Sequence, residues 1–304
     1  MIVRRPALVA ISAATAGALA LSGCVNNAKS NSHAGPSGSG TVGAVSKNEA
    51  AAALLPASIK SAGKLRVGIN VPYQPNEYRD TSTNQIVGWE VDMLDAAAKD
   101  LGVTTQYVPS GFDTILPSVK GNKFDLGMSS FTDTKEREQN IDFVNYYTAG
   151  IQWATPNGKT IDPSNACGLK VAVETGTTEQ IDDLPAKSKA CTSAGKKPIN
   201  ILKIDSQDAV NQSVILGQAD AFDADSPITE YAVKQSKGKL QLDGDIYGAA
   251  PYGLAVAKTN SGLTQALQKA IQDLMDNGTY KQILAKWGVE AGAIDKATIN
   301  GATS

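Results

Sequence analysis

Two short polar segments contain residue types that could bind an anion. The first runs from Ser129 to Thr132 and leads to Thr134 and Arg137. The second, 174–178, reads Glu-Thr-Gly-Thr-Thr and opens a predicted helix. Each offers hydroxyl groups and free backbone N–H groups, which favour a negatively charged ligand. Taken alone these signals are weak, because an isolated arginine such as Arg137 is usually a solvated helix residue.

Histidine chemistry is excluded from most of the chain. The only histidine among the 304 residues is His33, which lies in a polar stretch near the amino terminus. The sequence after residue 58 therefore has no imidazole for acid–base catalysis or for metal ligation. We expect neither a metal ion nor a cofactor.

The amino terminus has the layout of an export signal. A basic start precedes an apolar run over 7–20, and Leu21-Ser22-Gly23-Cys24 follows. This tetrapeptide resembles the lipobox of bacterial lipoproteins, in which the signal is removed before the cysteine and the sulfur carries a diacylglycerol. The resemblance implies a signal peptide over 1–23 and a lipid anchor at Cys24 that holds the protein outside the cytoplasm, on the cell membrane. The alternative is an ordinary cleaved signal followed by a chance cysteine.

The stretch over 24–58 is predicted to be a flexible tether. It is mostly Asn, Ser, Ala, Gly and Lys without a hydrophobic period, so it cannot bury enough apolar surface to offset its ordering entropy. Of the 28 basic side chains two belong to the signal, and the rest face 30 acidic side chains. Because no basic cluster stands out, we expect no nucleic-acid partner. No second apolar segment reaches the length of a membrane span.

Cys167 and Cys191 are the two cysteines other than Cys24, and they close one local loop. In an exported protein such a pair is typical of a disulfide. Two buried thiols are the alternative.

Strand and helix patterns alternate from about residue 57 onward, which is long enough for two small α/β domains. Strands are predicted at 65–69, 105–108, 125–129, 169–173, 199–204 and 221–223, and the segments 151–155 and 253–257 are predicted to be extended. Helices are predicted near 91–101, 115–119, 209–216, 228–234, 263–274 and 279–287. This β-α-β-α-β order predicts an α/β fold with parallel sheets covered by helices. Ligands bind at the carboxyl ends of such strands, where both polar segments fall.

A series of motifs runs in order from about residue 64 to residue 288. The first part contains Leu65-Arg66-Val67-Gly68, Gly88-Trp89-Glu90-Val91-Asp92, Lys123-Phe124-Asp125 and Ser130-x-Thr132-x-Thr134-x-Glu136-Arg137. The second part contains Gly176-Thr177-Thr178, Asp220-Ala221-Phe222-x-Ala224-Asp225-Ser226-Pro227 and Gly278-Thr279-Tyr280-x-x-Ile283-x-x-Lys286-Trp287-Gly288. Together they resemble the family 3 bacterial solute-binding proteins, the amino-acid receptors of ABC importers.

The resemblance implies a two-lobed clamp of the periplasmic-binding-protein type II class. Lobe 1 would be built from 59–152 and 251–290, lobe 2 from 153–250, and a C-terminal tail would cover 291–304. Two crossover strands would form the hinge, with the ligand in the cleft between the lobes.

The resemblance also assigns the ligand contacts. Arg137 would hold the carboxylate of an amino acid through two parallel hydrogen bonds, and Asp225 would accept from its ammonium group. The remaining contacts would be Ser130, Thr132 and Thr178 at the carboxylate, and Tyr73 and Phe112 as aromatic rings around the side chain. The alternatives are a surface ion pair for Arg137, a helix cap for Asp225 and ordinary core for the two rings.

The pocket for the ligand side chain is predicted to be polar. Asn70 lies where receptors for basic amino acids often carry an aspartate, which argues against a site purely selective for lysine or arginine. Asn76 replaces a common aromatic residue, and Glu77 faces either the ligand or solvent. We expect a polar ligand side chain, with an amide as the leading candidate.

Two functions of different classes compete. The first is a monomeric, lipid-anchored receptor that captures a free polar L-amino acid by closure of its lobes and delivers it to an ABC permease in the membrane. The second is an enzyme resembling cyclohexadienyl dehydratases, which share this fold and would need a proton-transferring carboxylate such as Glu174 or Glu77. Asp225 at the ammonium position and the lipid anchor favour the receptor.

Overall fold

The computed structural model describes residues 45–303. The predicted signal peptide, Cys24 and His33 lie outside the described residues. The strands of the described part are β1 (Lys64–Ile69), β2 (Tyr78–Arg79), β3 (Ile86–Val87), β4 (Thr104–Pro109), β5 (Leu126–Gly127), β6 (Ile141–Pro156), β7 (Lys170–Glu174), β8 (Asn200–Ile204), β9 (Ala221–Asp225) and β10 (Leu240–Ala257). Its α-helices are α1 (Glu49–Ala53), α2 (Ala57–Ala62), α3 (Trp89–Asp100), α4 (Phe112–Lys120), α5 (Lys135–Glu138), α6 (Leu184–Ser193), α7 (Gln207–Ile215), α8 (Ser226–Gln235), α9 (Ser261–Asp276) and α10 (Thr279–Trp287).

The ordered structure begins inside the stretch that the sequence assigns to the tether. Asn48 caps α1, since its side-chain oxygen accepts a hydrogen bond of 3.0 Å from the backbone N–H of Ala50. Its Nδ2 donates to Asp273 of α9 over 2.6 Å. The alanine run has a high helix propensity, and Ala51 and Leu55 are buried. Within 45–58, residues 49–53 and 57–58 are therefore helical, and the segment packs against the first half instead of forming a free tether. The local composition did not predict this order, because it does not contain the contact with α9.

One sheet of eight strands contains two groups of parallel strands, one in each half of the molecule. Its order is β4-β1-β5-β10-β6-β9-β7-β8. In the first half β1 pairs in parallel with β4 and β5, and in the second half β7 pairs in parallel with β8 and β9. The predicted α/β architecture with parallel strands is confirmed.

The strands β6 and β10 belong to both halves. They pair antiparallel from Ile141 opposite Ala257 to Pro156 opposite Leu240. The register shifts three times between Asp243 and Gly253, so the ladder is irregular in the middle of the connection. The sequence predicted only the short segments 151–155 and 253–257 as extended, and the structure lengthens both into strands of 16 and 18 residues.

Each half has its own apolar core. The core of the first half includes Leu65, Val67, Leu94, Leu267 and Leu274. The core beneath the second half includes Trp153, Val171, Val173 and Leu184. Because the cores are separate, the two halves can move relative to each other without unpacking either one.

The last residues pack along β6. Ile299 forms a bridge with Val144, and the backbone N–H of Asn145 donates to the carbonyl of Thr298 over 2.8 Å. The side-chain oxygen of Asn145 accepts from Gly301 over 2.9 Å, while its Nδ2 donates to Asp133. Residues 291–303, predicted as a tail, are thus ordered against the first half, close to the segment that carries Arg137.

Cys167 and Cys191 form a disulfide that joins the segment before β7 to α6. The predicted pairing is present, so the alternative of two free thiols does not describe this structure. Within residues 45–303, no helix is both long enough and apolar enough to cross a membrane.

Candidate ligand-binding site

The polar residues singled out from the sequence converge where the two halves face each other. In the first half, Asn70 follows β1 directly, and 129–132 follows β5. In the second half, β7 ends at Glu174 and β9 ends at Asp225. Because parallel strands end at one edge of their sheet, the fold brings these four positions to facing edges.

The side chain of Arg137 connects the two halves. It lies on the short helix α5, whose N-cap Thr134 accepts a hydrogen bond of 3.2 Å from the Arg137 backbone N–H. Nη1 donates to the carbonyl of Thr132 over 2.9 Å, and Nη2 donates to the carbonyl of Gly176 over 3.1 Å. Burial lowers the pKa of Arg137, and the negative charges of Glu179, Asp182 and Asp225 oppose that shift. Among the described residues Arg137 makes no ion pair, so the surface ion-pair alternative does not apply here.

Two threonines meet across the same interface. The hydroxyl groups of Thr132 and Thr178 lie 3.4 Å apart and hydrogen-bond to each other. Thr178 precedes a π-helical turn, Glu179–Asp183, and its hydroxyl also donates to Glu179 over 3.2 Å. Such turns are frequent at functional sites. Both hydroxyl groups lie beside Arg137, where the family resemblance implies that the carboxylate of the ligand binds.

Asp225 is buried and receives a hydrogen bond from the first half. It is 7 % exposed, and its Oδ2 accepts from the hydroxyl of Tyr73 over 2.9 Å. Asp225 occupies the N-cap position of α8, but its side chain makes no cap hydrogen bond to the helix. Burial raises the pKa of Asp225 to about 6, although Tyr252, Tyr73 and Arg137 act in the opposite direction.

Phe112 lies at the start of α4 and stacks on Phe131. The two ring centroids are 4.7 Å apart with an interplanar angle of 23°. Phe112 is 8 % exposed and belongs to an apolar cluster with Ile115 and Phe124. The structure therefore places this ring in the core at the edge of the site, which is the alternative considered for it.

Ser130 is engaged with a buried glutamate. Its backbone N–H and hydroxyl both donate to Glu90, over 3.2 and 2.7 Å, and Glu90 also accepts from Tyr146 over 2.7 Å. The side chain of Asn76 donates to the Ser130 hydroxyl and accepts from Trp89 over 2.6 Å. Ser130 and Asn76 thus support the floor of the site through Glu90 and Trp89.

Asn70 and Glu77 are both buried in the first half. The Asn70 Nδ2 donates to the carbonyl of Ser110 over 3.2 Å, whereas its Oδ1 is buried without a hydrogen-bond partner. Glu77 accepts from the hydroxyl of Ser129 over 2.6 Å, so the alternative in which it faces solvent is wrong. Burial and the neighbouring Glu90 raise the pKa of Glu77 well above its ordinary value.

Two buried acidic residues of the second half are not among the ligand contacts assigned from the sequence. Glu174 and Glu179 are 1 % and 2 % exposed, and burial together with nearby carboxylates raises the pKa of each to about 8. A glutamate as the last residue of a buried strand is the signal that could have identified Glu174. Nothing in the local sequence indicates that Glu179 points inward, because its orientation depends on the π-helical turn.

Residues 65–290 match the family described as bacterial extracellular solute-binding proteins, family 3. The arginine-binding protein ArgT of Corynebacterium glutamicum is 42 % identical over 250 residues, which cover 82 % of each chain.

Two solved structures of binding proteins share the architecture. An ancestral arginine-binding protein bound to arginine has a TM-score of 0.68 at 31 % identity, covering 74 % of this chain and 98 % of the other. The arginine-, lysine-, histidine-binding protein ArtJ from Geobacillus stearothermophilus has a TM-score of 0.66 at 27 % identity, covering 74 % of this chain and 94 % of the other. These matches confirm the predicted fold class.

Proposed function

Since this chain belongs to the family 3 bacterial extracellular solute-binding proteins, we propose that it is the substrate-binding component of an ABC importer for a basic L-amino acid. It binds its ligand between the two halves and changes nothing in it chemically. The observation that carries this proposal is that Arg137 and Asp225, which bear opposite charges, each form a hydrogen bond across the interface of the two halves. Arg137 of the first half donates to Gly176 of the second half, and Tyr73 of the first half donates to Asp225 of the second half.

The ligand backbone would use these two positions. The α-carboxylate accepts from the planar guanidinium of Arg137, with Thr132 and Thr178 as further donors. The α-ammonium group donates to Asp225. Its positive charge compensates the cost of burying the Asp225 carboxylate. Both contacts are complete only when the halves are closed, because one group belongs to each half.

The preference for a basic side chain has two supports. The relatives reported above are named for binding arginine, or arginine, lysine and histidine. In addition, the facing edges carry an excess of buried carboxyl groups over cations, since Arg137 is accompanied by Glu77, Glu174, Glu179 and Asp225. A basic amino acid adds one net positive charge to this site, whereas a neutral amino acid adds none. This proposal replaces the amide-bearing side chain that the sequence favoured.

Closure and anchoring complete the proposed role. A lipid on Cys24 would hold the protein at the outer face of the cell membrane, within reach of its permease. A closed monomer would present the ligand-bound state to that permease, because the ligand pairs both of its charges only in this state.

Thermal-shift measurements against the twenty amino acids test the proposal. Arginine, lysine or histidine should raise the melting temperature most, because a ligand that binds only the folded state stabilises it by mass action. Recovery of the unchanged ligand after long incubation should accompany the shift. A chain that responds to no amino acid, or that consumes a prephenate-like acid, would contradict the proposed function.

A further inference from the structure

Glu174 is a buried carboxyl group without a hydrogen-bond partner for either oxygen. It is the last residue of β7 and is 1 % exposed, and neither Oε1 nor Oε2 accepts a hydrogen bond from any described residue. Buried polar groups are ordinarily paired, so a carboxyl group with two free acceptors requires an explanation. A role in accepting hydrogen bonds from a ligand is one such explanation, provided that the carboxyl group faces the site.

The position of Glu174 in the chain places it at the site, because it ends β7 two residues before Gly176, whose carbonyl accepts a hydrogen bond from Arg137 of the first half. The charge of Glu174 raises the pKa of Tyr73, which donates to Asp225, and the pKa of Glu77, which accepts from Ser129. Both residues belong to the opposite half. Glu174 therefore lies at the interface of the halves and not in the separate core of the second half.

The other acidic residues at this interface already have partners. Asp225 accepts from Tyr73 over 2.9 Å, and Glu179 accepts from Thr178 over 3.2 Å and is compensated by Arg137. Glu174 has neither a donor nor a cation, since Glu179, Asp225, Asp205 and Asp208 are the groups that act on its pKa. Of these acidic residues, Glu174 is therefore the one whose buried carboxyl group lacks both a hydrogen-bond donor and a compensating positive charge.

Two other buried acceptors among the residues of the candidate site also lack donors. Oδ1 of Asn70 and Oε1 of Glu179 are buried without hydrogen-bond partners. A guanidinium group carries five N–H donors and an ammonium group carries three, and neither carries an acceptor. A cationic side chain therefore matches a site that has buried carboxyl and carbonyl acceptors in excess.

We propose that Glu174 accepts hydrogen bonds from the cationic side chain of the bound amino acid and determines the preference for a basic over a neutral ligand. This inference rests on the proposed function. Asn70 is neutral, although receptors for basic amino acids often carry an aspartate at this position of the first half. The negative charge that selects the ligand side chain therefore comes from Glu174 of the second half. Selection of the side chain is thereby coupled to closure.

Calorimetric titration of Glu174→Gln with L-arginine and with L-citrulline tests the inference. Citrulline has nearly the same shape as arginine but carries a neutral urea group. The wild-type chain should prefer arginine, and Glu174→Gln should weaken arginine binding by about 30-fold or more, because truncating one partner of a buried charged pair is costly. Citrulline binding should change by less than about threefold, since a neutral group loses no ion pair. Glu230→Gln, an exposed glutamate of the second half, is the matched control and should change neither ligand.

The outcomes separate the two proposals. If the wild-type chain binds arginine and Glu174→Gln keeps the full preference over citrulline, Glu174 is not the selecting group, while the proposed function stands. If the wild-type chain binds no amino acid, the proposed function and this inference both fail.

Proton release gives a second test that needs no variant. The pKa of Glu174 near 8 means that much of this group is protonated at pH 7 in the empty site, where it faces Glu179, Asp225, Asp205, Asp208, Glu77 and Tyr73. A cationic side chain favours the ionised form, so the carboxyl group should release its proton to the buffer on binding. Titrations of the wild-type chain in two buffers of different ionisation enthalpy should show more protons released with arginine than with citrulline. Equal release for the two ligands would overturn the inference.

Discussion

The hydroxyl of Tyr73 donates a hydrogen bond of 2.9 Å to Oδ2 of Asp225, although 152 positions separate them in the sequence. The first residue belongs to the half built on β1 and the second ends β9 of the other half. The bond lowers the pKa of Asp225 against the larger effect of burial, which leaves that pKa at about 6. Asp225 is therefore largely ionised at neutral pH and ready to accept from a cation.

Asp225→Asn should weaken the binding of amino acids more than the binding of their deaminated analogues. The substitution keeps the shape of the side chain but removes the charge that would face the α-ammonium group. We expect a loss of at least about 2 kcal/mol for L-arginine and a much smaller loss for the corresponding deaminated acid. Calorimetry measures both, and Asp245→Asn on the exposed surface of the second half serves as the control. Equal losses for both ligands would give Asp225 another role.

Arg137→Ala should abolish most of the affinity without unfolding the protein. The variant removes the proposed bidentate, charge-assisted hydrogen bonds to the ligand carboxylate. It also removes the hydrogen bond to the carbonyl of Gly176. We expect a loss of about 2–4 kcal/mol in binding. Circular dichroism should show an intact fold, and Arg79→Ala, an exposed arginine of the first half, should bind normally. An Arg137→Ala variant with affinity close to that of Arg79→Ala would remove Arg137 from the site.

The elements of the fold were largely predictable from local patterns. Alternation gave β1 and β7, and helical spacing gave α3 and α9, because each of these elements has one buried face. The full lengths of β6 and β10 were not predictable in this way. These strands are buried through long-range pairing with each other, and the polar residues near the hinge interrupt any simple alternation.

Residues of the candidate site were predictable from the sequence only where they form part of a family motif. Arg137 and Asp225 lie at the interface of the halves as the resemblance implied, but Ser130 donates to Glu90 and Phe112 packs on Phe131. The partners of these two residues come from other elements, so no local pattern contains them. Glu174 and Glu179 are buried because the two halves lie close together. The spacing of residues within one strand does not predict such a contact between the halves.

The free energy of unfolding of the ligand-free protein should fall as the pH rises from about 6.5 to about 8. The pKa values of Glu174 and Glu179 are raised to about 8 in the folded state, above the ordinary glutamate value near 4.5. In this window the folded protein binds more protons than the unfolded chain, so each group lowers stability by up to about 1.4 kcal/mol per pH unit. Urea denaturation at several pH values measures the slope.

Glu174→Gln is the control for that slope. The variant cannot ionise at this position, so its stability should fall less steeply over the same pH range. A wild-type stability that is flat or rises between pH 6.5 and 8 would mean that both glutamates are already ionised in the folded protein.

Loss of the Cys167–Cys191 disulfide should destabilise the second half without changing ligand affinity. The two cysteines are 24 positions apart, and closing a loop of that length is worth about 3 kcal/mol on the chain-entropy model. Neither cysteine contacts Arg137, Asp225 or Glu174. The double variant Cys167→Ser/Cys191→Ser should therefore melt at a lower temperature and still bind arginine with wild-type affinity below that temperature. A large loss of affinity in the folded variant would show that the disulfide shapes the site.

Gly176→Ala should hinder closure of the two halves. Gly176 has a φ of +88°, and a Cβ placed there would lie 2.9 Å from the Cβ of Asp113 and 3.1 Å from its Cα, both in the opposite half. Gly195→Ala separates the two effects of this substitution, because Gly195 has a similar φ of +72° but open space around its Cβ position. Both variants carry the backbone strain of about 1–2 kcal/mol, whereas only Gly176→Ala pushes the halves apart. Small-angle scattering should show a smaller radius of gyration on adding arginine to the wild-type chain and to Gly195→Ala, and little change in Gly176→Ala. If all three contract equally, the contact between Gly176 and Asp113 does not limit closure. If none contracts, binding does not require the movement of one half against the other.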